Sequence, residues 1–169
     1  MLLWTIFAAL VVCARGAETW LSARRSRARL RAGANEHAPG QYRATLAVHF
    51  GLLPAMATEI VWWDRPLIAS LAWGAGTVVV AATALRWWAI LTLGRYWSHR
   101  ILISPGTRRV TDGPYRFVPH PGYLAMGIDV PAFALTHTAW ITAAVFGTAN
   151  LLWIAARVRT ESRALAHLT

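Results

Sequence analysis

The chain has 169 residues, 56% of them hydrophobic and only 14% Asp, Glu, Lys or Arg, with a mean hydropathy of +0.40. That is too little charged surface for a soluble domain, and the length allows one domain, residues 1–169. The net charge of +10 would suit a nucleic-acid binder, but the arginines fall between apolar runs. A membrane protein carries its cytoplasmic charge there, so nucleic acid is excluded as a partner.

A spanning helix needs about 20 largely apolar residues, and five stretches qualify as candidates. The first runs from Leu2 to Trp20, interrupted by Arg15 and Glu18, which at i, i+3 share a helix face and are expected to pair. Met1-Leu2-Leu3-Trp4 has no basic region, so a cleaved signal peptide is not expected. Cys13, the single cysteine, excludes a disulfide within the chain. The second stretch runs from Thr45 to Trp63 and contains His49 and Glu59; Glu59 lies near the span end and is expected to reach the headgroups. The third, from Leu67 to Leu85, is the most uniformly apolar. The fourth, from Tyr123 to Leu135, is short and carries Asp129. The fifth runs from Trp140 to Ala156.

The intervening segments set the expected orientation. Arg24 to Arg43 and Arg86 to Arg116 hold six arginines each, and Arg157, Arg159 and Arg163 follow the fifth stretch. Asp64-Arg65-Pro66 and Thr136-His137-Thr138 are short and nearly neutral. Five spans put the arginines on one face, and the positive-inside rule makes that face cytoplasmic, with the N-terminus outside. The expectation is an all-α, multi-pass protein of the cell membrane. Trp62-Trp63 and Trp87-Trp88 fall at span ends, where indoles favour the interface. Thr92 to Gly122 is too polar to span, and its turn formers include Pro105-Gly106 and Gly113-Pro114. It reads as a re-entrant or interfacial segment.

Ionisable groups inside spans are functional candidates by default. Asp129 has no basic neighbour at i±3 or i±4, so it needs a partner from another helix or a polar cavity. His120 lies between Pro119 and Pro121, whose rings restrict the backbone and remove two amide donors. The other histidines show no ligand spacing, so no metal site is expected. No nucleotide-loop, nucleophile-elbow or zinc-protease signature occurs.

Leu93-Gly94-Arg95-Tyr96-Trp97-Ser98, then Thr111-Asp112-Gly113-Pro114-Tyr115-Arg116-Phe117, then His120-Pro121-Gly122-Tyr123, then Arg157-Val158-Arg159-Thr160-Glu161 resemble the isoprenylcysteine carboxyl methyltransferase family. The resemblance covers residues 85–169. Glu36, Gly40, Tyr42 and His49 are similar to a stretch of one bacterial subgroup. Some of its members methylate alkylpyrones or alkylresorcinols beside type III polyketide synthases. Pro119 stands where the family usually has Arg or Lys, Ala125 where many members have Gly, and Ser162 where the second Glu of a C-terminal pair would be.

The resemblance implies a methyltransferase using S-adenosylmethionine, bound at the cytoplasmic loop and a short C-terminal helix by Tyr115, His120, Pro121, Tyr123, Arg157 and Glu161. The acceptor it implies is a lipid or lipophilic small molecule, a carboxylate or a hydroxyl, with a polyketide synthase as a candidate supplier. A phenol of pKa about 10 needs a base, whereas a carboxylate does not; Asp129, His120 and Glu161 are the candidates. A phospholipid N-methyltransferase, a membrane reductase and a non-catalytic scaffold are the alternative readings.

Overall fold

The computed structural model describes residues 2–104 and 110–165. The first helix, α1, runs Leu2–Arg31. The expected spanning stretch, Leu2 to Trp20, is the first part of this longer helix. The apolar stretch does stop at Trp20, but Ala, Arg and Leu are strong helix formers, and no breaker comes until Gly33 with φ +85°. A three-residue strand β1 (Asn35–His37) leads into α2 (Gly40–Trp62). After a tight turn, α3 (Ala69–Leu93) ends at Gly94, whose φ of +52° stops the helix.

Strand β2 (Ile101–Ile103) pairs antiparallel with β1. The fold is all-α in class, as expected, and adds a small ribbon joining the α1–α2 and α3–α4 connections. The proposed turn at Pro105-Gly106 lies outside the described residues. A 3-10 turn (Gly113–Arg116) precedes α4 (Pro121–Leu135), which starts with proline at its first position. The last helix, α5, runs unbroken through Trp140–Leu165. This replaces the separate short C-terminal helix that the resemblance implied.

Among the described residues, four helices, α1, α2, α3 and α5, are long and apolar enough to cross a membrane. Helix α4 has 15 residues, about 22 Å at 1.5 Å per residue, against a hydrocarbon core of about 30 Å. It is the most buried helix and packs between α3 and α5. Gly147 of α5 sits against Pro131, where a Cβ would approach the ring to 3.2 Å. Val79, Val130, Phe133, Met56 and Leu52 form the apolar core beside it. Trp62, Trp63 and Trp88 are exposed, as indoles at span ends should be.

The elements share two ends. At one, Trp4 donates to Thr136 (3.0 Å) and Thr138 to the Pro66 carbonyl (2.6 Å). Glu59 does not reach outward as expected. It is 3% exposed and accepts from the Ile141 and Thr142 amides (3.1 and 2.6 Å) and from Arg65 (3.0 Å). It caps the first turn of α5, where the free amides and the helix dipole favour an anion. The opposite, arginine-rich end holds the ribbon and the 3-10 turns.

Midway along the bundle, four charges are buried together. Glu18 takes Arg15 Nη1 (2.7 Å) on one oxygen and Arg86 Nε (2.8 Å) on the other. Asp129 Oδ2 lies 3.2 Å from Arg15 Nη2 and 4.0 Å from Arg86 Nη1. The expected Arg15–Glu18 pair is present, and Asp129 finds its partners on α1 and α3. Removing one member leaves a buried charge uncompensated, which costs about 3–5 kcal/mol. Arg86→Ala should therefore lower the thermal midpoint in detergent far more than Arg95→Ala on the exposed rim. Equal midpoints for the two variants would contradict this account of the cluster.

Candidate functional site

Helix α1 presents a polar stripe inward. Arg15, Glu18, Ser22, Ser26 and Arg29 recur at three- and four-residue steps, and Glu18, Ser22 and Ser26 are buried. Ser22 accepts the His99 amide (2.8 Å). Arg29 grips the far side of the connection, donating to the carbonyls of Tyr96 (2.5 Å) and Leu102 (2.7 Å) and to Ser104 (3.2 Å). The segment expected to be interfacial is thus tied onto the end of α1. Gly113 is needed in it: φ is +56°, and a Cβ would stand 2.5 Å from Thr92 Oγ1.

Arg157 of α5 is buried and distributes its donors over three elements. Nε donates to the Tyr123 hydroxyl (3.1 Å), Nη1 to Thr45 (3.3 Å) and Nη2 to the His99 carbonyl (2.7 Å). The Tyr123 hydroxyl in turn donates to Glu161 Oε2 (2.5 Å). One helical turn sets Arg157 and Glu161 on the same face, so tyrosine, guanidinium and carboxylate form a line. His120 packs against Tyr123, with ring centroids 5.6 Å apart, and its Nε2 meets the Ser162 hydroxyl at 3.2 Å.

These residues border a cavity of about 130 Å³ at the arginine-rich end. Tyr115, His120, Tyr123, Arg157 and Glu161 all line it, together with Arg29, Thr45, Arg86, Trp97 and His99. Pro121, the remaining expected binding residue, is buried at the start of α4 and is not in the lining. Asp129 is not in it either. It borders a second cavity, of about 150 Å³, with Arg15, Glu18 and His49. Thr45, Arg86 and His99 line both cavities, so the two share a polar wall.

Arg29, Thr45, Arg86 and His99 had not stood out as site residues. The α1 stripe and the Gln41-Thr45-His49 series on α2, each four apart, were the available signals. Arg86 was read only as the first of a loop's arginines, yet it is 4% exposed inside α3.

Burial, and then the charge of Glu161, push the Tyr115 phenol above its ordinary 10.0, so it stays a neutral donor. His99 is pushed from 6.5 down to about 3, first by burial and then by the positive charge of Arg86 and its neighbours. An unfolded chain therefore takes up a proton at His99 that the folded chain refuses, so this residue weakens the fold as pH falls from 6.5 towards 3. The thermal midpoint should drop more steeply between pH 7 and pH 5 in the parent than in His99→Gln; parallel curves would refute the assignment.

The isoprenylcysteine carboxyl methyltransferase (ICMT) family pattern matches residues 75–167. The stretch includes most of α3, the connection that carries Tyr115 and His120, and the helices α4 and α5 that bear the Tyr123–Arg157–Glu161 line. A Bacillus subtilis (strain 168) protein named "Uncharacterized protein YpbQ" is 28% identical over 163 residues, covering 96% of this chain and 95% of that protein. No solved structure matches the chain. With more than half of its residues matched and four helices long enough to cross a bilayer, the chain belongs to the isoprenylcysteine carboxyl methyltransferase family, a family of membrane methyltransferases.

Proposed function

We propose that the protein transfers a methyl group from S-adenosylmethionine to an oxygen of a lipophilic acceptor, at the cavity bounded by Tyr115, Tyr123, Arg157 and Glu161. The observation that carries this reading is the convergence of those residues, from three separate elements, on one cavity. The donor set fits the cofactor. An amino-acid zwitterion needs a cation and an anion, supplied by Arg29 or Arg157 and by Glu161, and an adenine ring needs apolar or aromatic walls, supplied by Tyr115, Tyr96 and Trp97. When bound, S-adenosylmethionine supplies an electrophilic methyl group on a sulfonium.

The protein's own task is positioning and exclusion of water. Arg157 holds the Tyr123 hydroxyl, and Tyr123 holds Glu161, so the carboxylate is fixed before a ligand arrives. Neutral Tyr115 stays a donor. The orientation that supports this reading places the arginine-rich end in the cytoplasm, where the cofactor is dissolved. The acceptor then arrives from the bilayer, and an alkylpyrone- or alkylresorcinol-type lipid made by a polyketide synthase is the acceptor and supplier we favour.

Purified protein in detergent should bind S-adenosylmethionine by calorimetry. A hydrogen bond to a charged group contributes about 1.5–3 kcal/mol, or roughly 10- to 100-fold in Kd. Glu161→Gln should weaken binding by that amount, while Arg159→Gln should leave it within about twofold of the parent. Folded protein that shows no heat of binding would end the proposal.

A further inference from the structure

The second cavity lies on the other side of the shared wall from the first. Its apolar lining comes from Val11 and Val12 of α1 and from Leu46, Phe50 and Leu53 of α2, with Val130 and Phe133 behind. Val12 and Phe50 are 41% and 63% exposed, so its rim faces outward between two helices that cross the membrane. Its polar floor is Arg15, Glu18, His49, Arg86, His99 and Asp129.

Among the described residues, three buried nitrogens of that floor have no hydrogen-bond partner: His49 Nε2, Arg86 Nη1 and Arg15 Nε. The His49 ring is oriented by its other nitrogen, which lies 2.9 Å from the Thr45 carbonyl. A carbonyl only accepts, so Nδ1 carries the hydrogen and Nε2 of the neutral ring offers a lone pair. The floor thus asks for a group that donates once and accepts as well. A hydroxyl does both. An ionised carboxylate only accepts, and it would leave His49 Nε2 unfilled. The charge balance agrees: Arg15 and Arg86 are matched by Glu18 and Asp129, so no net positive charge awaits an anion.

We propose that this cavity holds the head of a single-chain lipid bearing a hydroxyl, that its tail leaves between α1 and α2, and that His49 Nε2 is the base that takes the hydroxyl proton. The inference rests on the methyltransferase reading and gives its acceptor a binding cavity and a base. Thr45 stands one helical turn, about 5.4 Å, from His49 and lines both cavities, which puts the head beside the wall of the first. The acceptor O–H bond breaks and its proton goes to Nε2. The acceptor oxygen bonds to the methyl carbon as the carbon–sulfur bond breaks, its electron pair staying on sulfur. The products are a methyl ether, a neutral thioether and an imidazolium, which releases its proton to solvent. Arg86 and Arg15, facing the same space, steady the oxygen as it gains charge.

The test uses the full chain in lipid nanodiscs near pH 7 with three probes: pentadecylresorcinol, a pentadecyl hydroxypyrone and palmitate. The resorcinol, with a phenol pKa of about 10, is un-ionised and needs a base; the other two are already anions. His49→Gln should cut kcat on the resorcinol by about 100-fold or more. It should change turnover of the hydroxypyrone by no more than about fivefold and leave S-adenosylmethionine affinity by calorimetry unaltered. Val12→Trp, which narrows the rim without touching the floor, should raise KM for the resorcinol at unchanged cofactor affinity. Equal losses on both hydroxyl probes, or none, would overturn the role of His49. An unchanged KM in Val12→Trp would overturn the route between α1 and α2. Parent protein that binds the cofactor but methylates only palmitate would overturn the hydroxyl class and leave the methyltransferase intact. Folded parent protein that binds no cofactor would overturn both.

Discussion

Burying two guanidinium groups and two carboxylates inside an apolar bundle is tolerable only if they cancel one another. A single ion in such surroundings costs several kcal/mol even after relaxation. Arg15, Glu18, Arg86 and Asp129 therefore have to meet, and that requirement sets the relative heights of α1, α3 and α4. Glu18 of α1 takes Arg86 of α3, and Arg15 of α1 donates to Thr83 of α3 (2.8 Å), so α1 cannot slide along α3 by a turn without breaking both contacts. Once α1 is set, Ser22 and Arg29 on the same stripe arrive where the α3–α4 connection passes, and they hold His99, Leu102 and Ser104. The first cavity inherits its shape from this registration, because the connection forms much of its lining.

Arg157 does for α2 and α5 what the charge cluster does for the others. It is buried, and among the described residues no carboxylate is in direct contact with it. Its neutral acceptors are a hydroxyl on α2, a carbonyl in the connection and the phenol of α4. Thr45 is a small hub in consequence. It accepts from Arg157 and from Trp153 Nε1 (3.2 Å) and donates to the Gln41 carbonyl (3.0 Å). A methyl group cannot accept a hydrogen bond, so replacing this threonine with valine would strand the Arg157 and Trp153 donors at a stroke.

Much of this was legible in the amino acids. The alternation of apolar runs with arginine-rich and nearly neutral connections gave the helices and their two ends. The spacing from Leu93 to Glu161 gave the family and five of the residues that line its cavity. Other features were hidden because their determinants are not local. Hydropathy reports the end of the apolar stretch, not of the helix, so α1 ran on past Trp20 through residues that favour helix. Glu59 looked free to reach headgroups because its partners, the Ile141 and Thr142 amides, lie far away in sequence. Asp129 declared that it needed a cation but not which one. Arg86 was hidden by its position at a span end, where an arginine usually reaches out to water; here Glu18 draws it in.

The common wall formed by Thr45, Arg86 and His99 has a chemical logic of its own. On the proposed reading, a water-soluble cationic donor and a lipid acceptor have to come within bonding distance although they dissolve in different phases. An apolar wall between their cavities would keep the phases apart, but it would give the acceptor oxygen nothing to lean on as charge develops. A wall with net positive charge would repel the sulfonium. A neutral polar wall avoids both faults. His99 is held uncharged far below neutral pH, Thr45 is a hydroxyl, and the charge of Arg86 is taken up by Glu18. The cancellation that makes the buried ions tolerable also leaves the boundary between the two cavities polar and close to uncharged, which is the condition that the proposed methyl transfer across it would require.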